Sequence, residues 1–298
     1  MSEIRTASHD EWLRLMPVVF VLIWSTGFIV ARFGMPYAPP MSFLMWRYGL
    51  SMACFLIWIR WARVTWPSTR EQWLHLAVTG VLMHAGYLGG VWASVKAGMG
   101  AGLSALIVGL QPVLTAVWLS SRGGSISSRQ WWGLLLGFSG LVLVVWRKLG
   151  SLEVSVWTLC CAVTALLSIT AGTLYQKRHV QPCDVRTANT VQLLAAALVT
   201  LPLALLETES MVWHPQLMGA LAWSVLGMTL GGSSLLYLLI QRGAAASVSS
   251  LMYLVPPCTA MIAWFLFDEP ITVATLAGIG FTAIGVSLVV RAPVTRAT

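Results

Sequence analysis

The chain has 298 residues, of which 57% are hydrophobic and only 9% are charged. A soluble domain carries about 25% charged residues, so too little polar surface remains to cover a core in water, and a soluble enzyme is excluded. The net charge of +8 does not mark a nucleic-acid binder, because the basic residues cluster between apolar runs instead of along one face.

A helix needs about 20 mostly apolar residues to cross a bilayer. Ten runs meet that need in chain order: 13–33, 42–61, 73–95, 101–121, 130–147, 155–175, 187–206, 216–239, 245–267 and 271–291. The expected fold is therefore an all-α integral membrane protein. Glu3, Asp10 and Glu11 precede the first run and no small-residue cleavage signature follows it, so that run reads as a retained span and not a signal peptide. Tyr37-Ala-Pro-Pro40 is a tight uncharged turn, and Arg60 to Gln72 is the most loop-like linker. The linkers leave no room for a soluble domain. Of the five cysteines, Cys54, Cys160, Cys161, Cys183 and Cys258, four lie in apolar runs without metal-ligand spacing. Neither a disulfide, nor a metal, nor a cofactor is expected.

Lys and Arg set the orientation. With the N-terminus cytoplasmic, thirteen fall inside: Arg5, Arg14, Arg60, Arg63, Arg70, Arg122, Arg129, Lys177, Arg178, Arg186, Arg242, Arg291 and Arg296. Lys96, Arg147 and Lys148 fall outside. Both termini are expected in the cytoplasm.

The chain also repeats itself. Gly98 to Val145, moved by 145 positions without a gap, lies on Gly243 to Val290 with eleven of 48 pairs identical. Pro112 meets Pro257, and Gly133 and Gly140 meet Gly278 and Gly285. Proline bends a helix and glycine lets two helices approach closely, so these matches carry geometry as well as composition. The same shift pairs Gly27 with Gly172, Gly86 with Gly231 and Trp92 with Tyr237. Two five-span units follow, residues 1–148 and 149–298. Because five is odd, the second copy crosses the membrane in the opposite sense, the inverted-repeat plan of many carriers.

Particular residues carry a resemblance. Phe20-Val-Leu-Ile-Trp-Ser-Thr-Gly-Phe28, then Pro39-Pro40, Phe43 and Arg47, resembles the first two helices of EamA-type members of the drug/metabolite transporter superfamily. Pro256-Pro257, Asp268-Glu269-Pro270 and Gly278 to Gly285 resemble their last two. The resemblance implies ten helices, inverted repeats, cytoplasmic termini and export of small metabolites or amino acids, with the aromatic amino acid exporter kind as the subtype it suggests. One departure stands out. Many members carry an acid after the fourth helix as well as after the ninth, whereas here Gly123-Gly124 stands opposite Asp268-Glu269.

The candidate site is read from polar and aromatic residues at mid-span. All ten acids lie at or beyond span ends, so no intramembrane carboxylate is available as a proton relay. His84 lies deep in the third run, with Tyr87 close by on the same helix face. It is read as a cavity residue, against the alternative of a neutral histidine bonded to a neighbouring helix. Arg47 lies inside the second run, either snorkelling to the interface or serving as counter-charge to a carboxylate. Its repeat mate is Gln192, read as a cavity-facing amide. Trp24, Trp92, Tyr237 and Tyr253 complete the expected substrate-binding set, with Trp92 and Tyr237 as opposite walls of one chamber. Trp118 and Trp264 also stand on faces able to look inward. Most other tryptophans fall near span ends as an interfacial belt. Pro112 and Pro257 are read as hinges, each freeing the carbonyl four residues back.

An intramembrane enzyme is disfavoured, since the faint serine motif Gly102-Leu-Ser-Ala105 has a repeat copy with no second histidine near it. A non-transporting scaffold or sensor would need no mid-membrane polar residues. The expectation is a carrier in a bacterial cytoplasmic membrane, working as a monomer. It would export small amphipathic metabolites, amino acids first and aromatic ones among them, with toxic organic compounds or cations as the alternative.

Overall fold

The computed structural model describes residues 2–121, 128–148, 151, 153–241 and 254–290. Among them the regular elements are helices. We label them α1 (Ser2–Gly34), α2 (Pro40–Ala62), α3 (Arg70–Lys96), α4 (Ala101–Val108, resuming as Gln111–Ser121), α5 (Ser128–Lys148), α6 (Val156–His179), α7 (Val185–Leu205), α8 (Pro215–Leu239), α9 (Val255–Phe267) and α10 (Val273–Val290). Six of them, α2, α3, α4, α6, α7 and α8, are long and apolar enough to cross a membrane. The apolar stretches Val18–Gly34, Val255–Phe267 and Val273–Gly285 are shorter. Residues 245–253 of the ninth expected run lie outside the described residues.

Local signals explain several boundaries. Pro40 opens α2, where its missing N–H costs nothing and its fixed φ suits a first turn. Ser155 and Thr158 cap α6 reciprocally, Ser155 Oγ accepting from the Thr158 N–H at 3.1 Å and Thr158 Oγ1 from the Ser155 N–H at 2.9 Å. Asp184 caps α7 by accepting the Arg186 N–H at 2.9 Å. The Arg186 guanidinium, 2.7 Å away, holds the Asp184 carboxyl below the usual carboxylate range. After α3 the chain turns at Gly98, whose φ of 105° only glycine adopts without strain.

The helices pack in pairs that the 145-residue shift exchanges. α5 lies on α10, α2 on α7 and α4 on α9, each helix against its own repeat mate. The α3–α6 contact is matched by α8–α1, and α1–α9 by α6–α4. Glycine makes the α5–α10 crossing close. A Cβ on Gly140 would stand 2.6 Å from the Gly278 carbonyl oxygen, and one on Gly285 would stand 2.5 Å from that of Gly133. At the same crossing Thr282 Oγ1 donates to the carbonyl of Gly137, 3.5 Å away and 145 positions earlier. Residues that are equivalent in the repeat thus touch, as they must where an approximate two-fold axis passes.

One apolar core serves both halves. Phe20, Phe28, Phe43, Tyr48, Phe55 and Trp92 pack in the same cluster as Leu193, Leu217, Leu221 and Leu236. Large apolar side chains also cover the outside, among them Ile57, Leu198, Leu226 and Phe265. Such a surface suits lipid, where backbone groups must be satisfied internally, as helices do.

Candidate functional site

Two stretches of π-helix position the site. One is Val81–Gly86 inside α3, and the other is Ser224–Ser233 inside α8. Shifted by 145, residues 81–86 fall on 226–231, within the second stretch. A π-turn inserts an extra residue, widens the helix locally and releases backbone groups to side-chain partners. Tyr48 Oη donates to the His84 carbonyl at 2.9 Å, an oxygen that the Tyr87 N–H also reaches. Thr229 Oγ1 donates to the Ser224 carbonyl at 2.9 Å.

His84 and Thr229 are repeat mates, and so are Arg47 and Gln192. Arg47 Nε on α2 donates to Thr229 Oγ1 on α8 at 3.1 Å. Their repeat mates, Gln192 on α7 and His84 on α3, line one cavity. The site is therefore two cross-half sets, Arg47 with Thr229 and His84 with Gln192, which the repeat exchanges. In the first pair the first half supplies a fixed charge and in the second a titratable ring. The second half supplies only a hydroxyl and an amide.

A cavity of about 40 Å³ lies at this junction. It has room for a few ordered waters and is far below the roughly 300 Å³ floor of small-molecule pockets. Trp24, Arg47, His84, Tyr87, Trp92, Gln192 and Tyr237 all line it. Tyr253 lies outside the described residues. Trp24 runs parallel to Tyr87, with ring centroids 6.1 Å apart and 2° between planes. Trp92 stacks on Phe43 at 4.2 Å. The Tyr237 hydroxyl is engaged with Cys183 Sγ at 2.9 Å. Arg47 is only 3% exposed, so it does not snorkel, and its terminal nitrogens face the cavity residues. Trp118 and Trp264 correct the sequence reading, because both are about half exposed on the outer surface.

Pro112 and Pro257 do not line the cavity. α4 stops at Val108, whose carbonyl is the one four residues before Pro112, and resumes at Gln111. Pro257 lies in the first turn of α9, and Tyr253, four residues back, is outside the described residues. The break in α4 abuts the start of α9, since a Cβ on Gly109 would stand 2.7 Å from Pro256 Cγ.

Gln176, Asn189, Met228 and Ser233 also line the cavity and were not singled out from the sequence. Asn189 carried the signal that marked Gln192, a side-chain amide within an apolar run, whereas Gln176 stands one position past the end of the sixth run. Thr229 was reachable by moving His84 along the repeat.

The acids work at one end of the bundle. Glu207, between α7 and α8, accepts the Met41 N–H at 2.8 Å, and the Ser42 N–H and hydroxyl at 2.7 Å each. Glu269, after α9, accepts the Ala101 N–H at 3.0 Å and the Gly102 N–H at 3.4 Å. Each caps a helix of the first half from the second half, placing a negative charge at a helix N-terminus. The position equivalent to Glu269 in the first half is Gly124, which lies outside the described residues.

A model of EamA-like transporters matches residues 12–146 and again residues 156–291. The chain belongs to the EamA-like transporter family. This EamA-like transporter is similar to an uncharacterized transporter of Archaeoglobus fulgidus at 24% identity, over 92% of the chain and 96% of that relative. It is also similar to the uncharacterized transporter YvbV of Bacillus subtilis at 25% identity, over 92% of the chain and 90% of the relative. A crystal structure superimposes with a TM-score of 0.68 at 16% identity, covering 92% of this chain and 96% of the other. That likeness shows the fold alone. The protein is thus a multi-pass membrane transporter and not an enzyme. The two successive matches to one family model account for the two-repeat fold.

Proposed function

We propose that this EamA-like transporter is a secondary exporter of small amphipathic metabolites, with amino acids first and aromatic ones among them. It works by alternating access between two inverted five-helix repeats, residues 1–148 and 149–298. The ten helices all cross a bacterial cytoplasmic membrane as a monomer, with both termini in the cytoplasm. Trp24, His84, Tyr87, Trp92, Gln192, Tyr237 and Tyr253 line the substrate path. Arg47 is the counter-charge, and Pro112 and Pro257 are the hinges. The observation that carries the reading is the cross-half hydrogen bond Arg47–Thr229 at a cavity between the halves that their repeat mates, Gln192 and His84, also line. Contacts that the repeat exchanges supply two arrangements of similar energy, which alternating access requires. The small cavity is that of a closed state. Efflux of toxic aromatic compounds is a second reading, favoured by the parallel Trp24 and Tyr87 rings.

Purified protein in liposomes, offered a panel of amino acids and aromatic drugs with and without a pH gradient, tests the proposal. Facilitated flux of an amino acid is expected, and it depends weakly on the gradient because no carboxylate lies inside a span. His84→Gln keeps hydrogen bonding but removes titration. The variant is expected to keep most of the flux and the same flat pH profile. Loss of gradient-driven accumulation with downhill exchange intact would instead make His84 a proton carrier.

Topology has its own test. Glu269→Cys in intact cells is expected to react with a membrane-impermeant thiol reagent, and Arg129→Cys is not. The reverse pattern would turn the protein over in the membrane.

A further inference from the structure

We infer that the cavity between the halves takes an organic anion, its carboxylate held across Arg47 and Gln192 and its apolar body laid against Trp24 and Tyr87. The inference rests on the transporter reading above and deepens it by naming the charge of the substrate.

Donors without acceptors carry the argument. Arg47 is 3% exposed, and its one hydrogen bond among the described residues uses Nε, toward Thr229. Among the described residues the cavity lining contains no acid. Five acids near the bundle ends have other partners: Glu207 and Glu269 on helix N-termini, Glu209 on Lys96, Glu153 on Lys148 and Asp184 on Arg186. A guanidinium held out of water without a counter-charge is costly. Gln192 adds a second unmet donor. It is 4% exposed, and its Nε2 is buried with no acceptor.

Arg47 and Gln192 are repeat mates on α2 and α7, which pack against each other, so both donors address the same space. A ligand there has to bring acceptors. An ionised carboxylate only accepts, through two oxygens, and it matches the two-pronged geometry of a guanidinium. An amine brings donors and a like charge. Nothing in the lining offsets the repulsion it would meet at Arg47, and that repulsion is stronger away from water. The anion supplies the selecting group, and an ammonium group is not required.

Three probes that share a phenyl ring and differ in head group separate the possibilities: 3-phenylpropionate, phenylalanine and phenethylamine. Full-length protein is used, with binding followed by tryptophan fluorescence and flux measured in liposomes against protein-free controls. Phenylpropionate is expected to bind and move best and phenethylamine not at all. Arg47→Gln should weaken phenylpropionate binding at least about tenfold, the effect of losing one charge-assisted contact. Arg47→Lys keeps the charge and should retain part of the binding, which separates lost chemistry from lost folding. Gln192→Glu places a carboxylate beside Arg47 and should reverse the order, rejecting the anion and admitting the amine. A wild-type preference for phenethylamine, anion binding indifferent to Arg47→Gln, or no binding of any probe would each overturn the inference. Arg47-dependent anion binding without flux would uphold it and overturn the transport reading instead.

Discussion

Gly80→Ala is expected to leave almost no folded transporter in the membrane. α3 crosses α7 at this glycine, and a Cβ there would stand 2.5 Å from Gln192 Cα and 2.6 Å from its carbonyl carbon, closer still to its carbonyl oxygen. These are backbone atoms of a packed helix, so no side chain is available to swing aside. Overpacking a core ordinarily costs about 1–3 kcal/mol. A backbone partner puts this case at or above the top of that range, a large part of the roughly 5–15 kcal/mol that holds a domain folded. The same collision displaces Gln192, so any molecules that do fold should have an altered cavity wall. Gly49→Ala is the matched control. Nothing lies within 4 Å of a Cβ there, and alanine is the better helix former by about 1 kcal/mol. The monodisperse yield in detergent is the measurement. Equal yields of the two variants would refute the close α3–α7 crossing.

Glu207→Ala is expected to lower thermal stability in detergent by about 5–10 °C. The carboxylate receives three donors at the start of α2, where Pro39 offers no side-chain cap. Hydrogen bonds to a charged group contribute about 1.5–3 kcal/mol each, less when they share one partner, and the anion also meets the positive end of α2. A total near 3 kcal/mol follows. Glu209→Ala provides the contrast two residues away. Glu209 pairs with Lys96 at 2.5 Å but is 61% exposed, and such surface pairs contribute about 0–1 kcal/mol. The Glu207 variant should therefore melt well below the Glu209 variant. Comparable melting of the two would mean that the cross-half cap does not hold α2 to the second half.

Much of the architecture was legible because bilayer and repeat both write directly into the sequence. Apolar runs of spanning length have one stable use in lipid, and each of the ten runs meets a helix among the described residues. The glycines matched by the 145-residue shift proved to be the points where α5 and α10 touch, since only a residue without a side chain permits that approach. The candidate site was legible for the same reason, as polar atoms in an apolar run are few. Arg47, His84, Tyr87 and Gln192 were marked by their oddity, and the structure gathers them around one cavity. Trp118 and Trp264 misled because an aromatic side chain suits lipid as well as it suits a core, and composition alone does not separate the two.

The sequence by itself determined that the chain is a helical membrane protein of two related halves, and it marked mid-span polar residues that line one cavity. Pairing was decided by the tertiary structure. That Arg47 meets Thr229 depends on a π-helical stretch, whose extra residue per turn is set by packing and leaves no periodic mark in the sequence. That Glu207 and Glu269 cap helices of the other half depends on ends brought together from 165 and more positions apart. Contacts between distant segments are fixed by how the helices cross, and spacing along the chain does not record it.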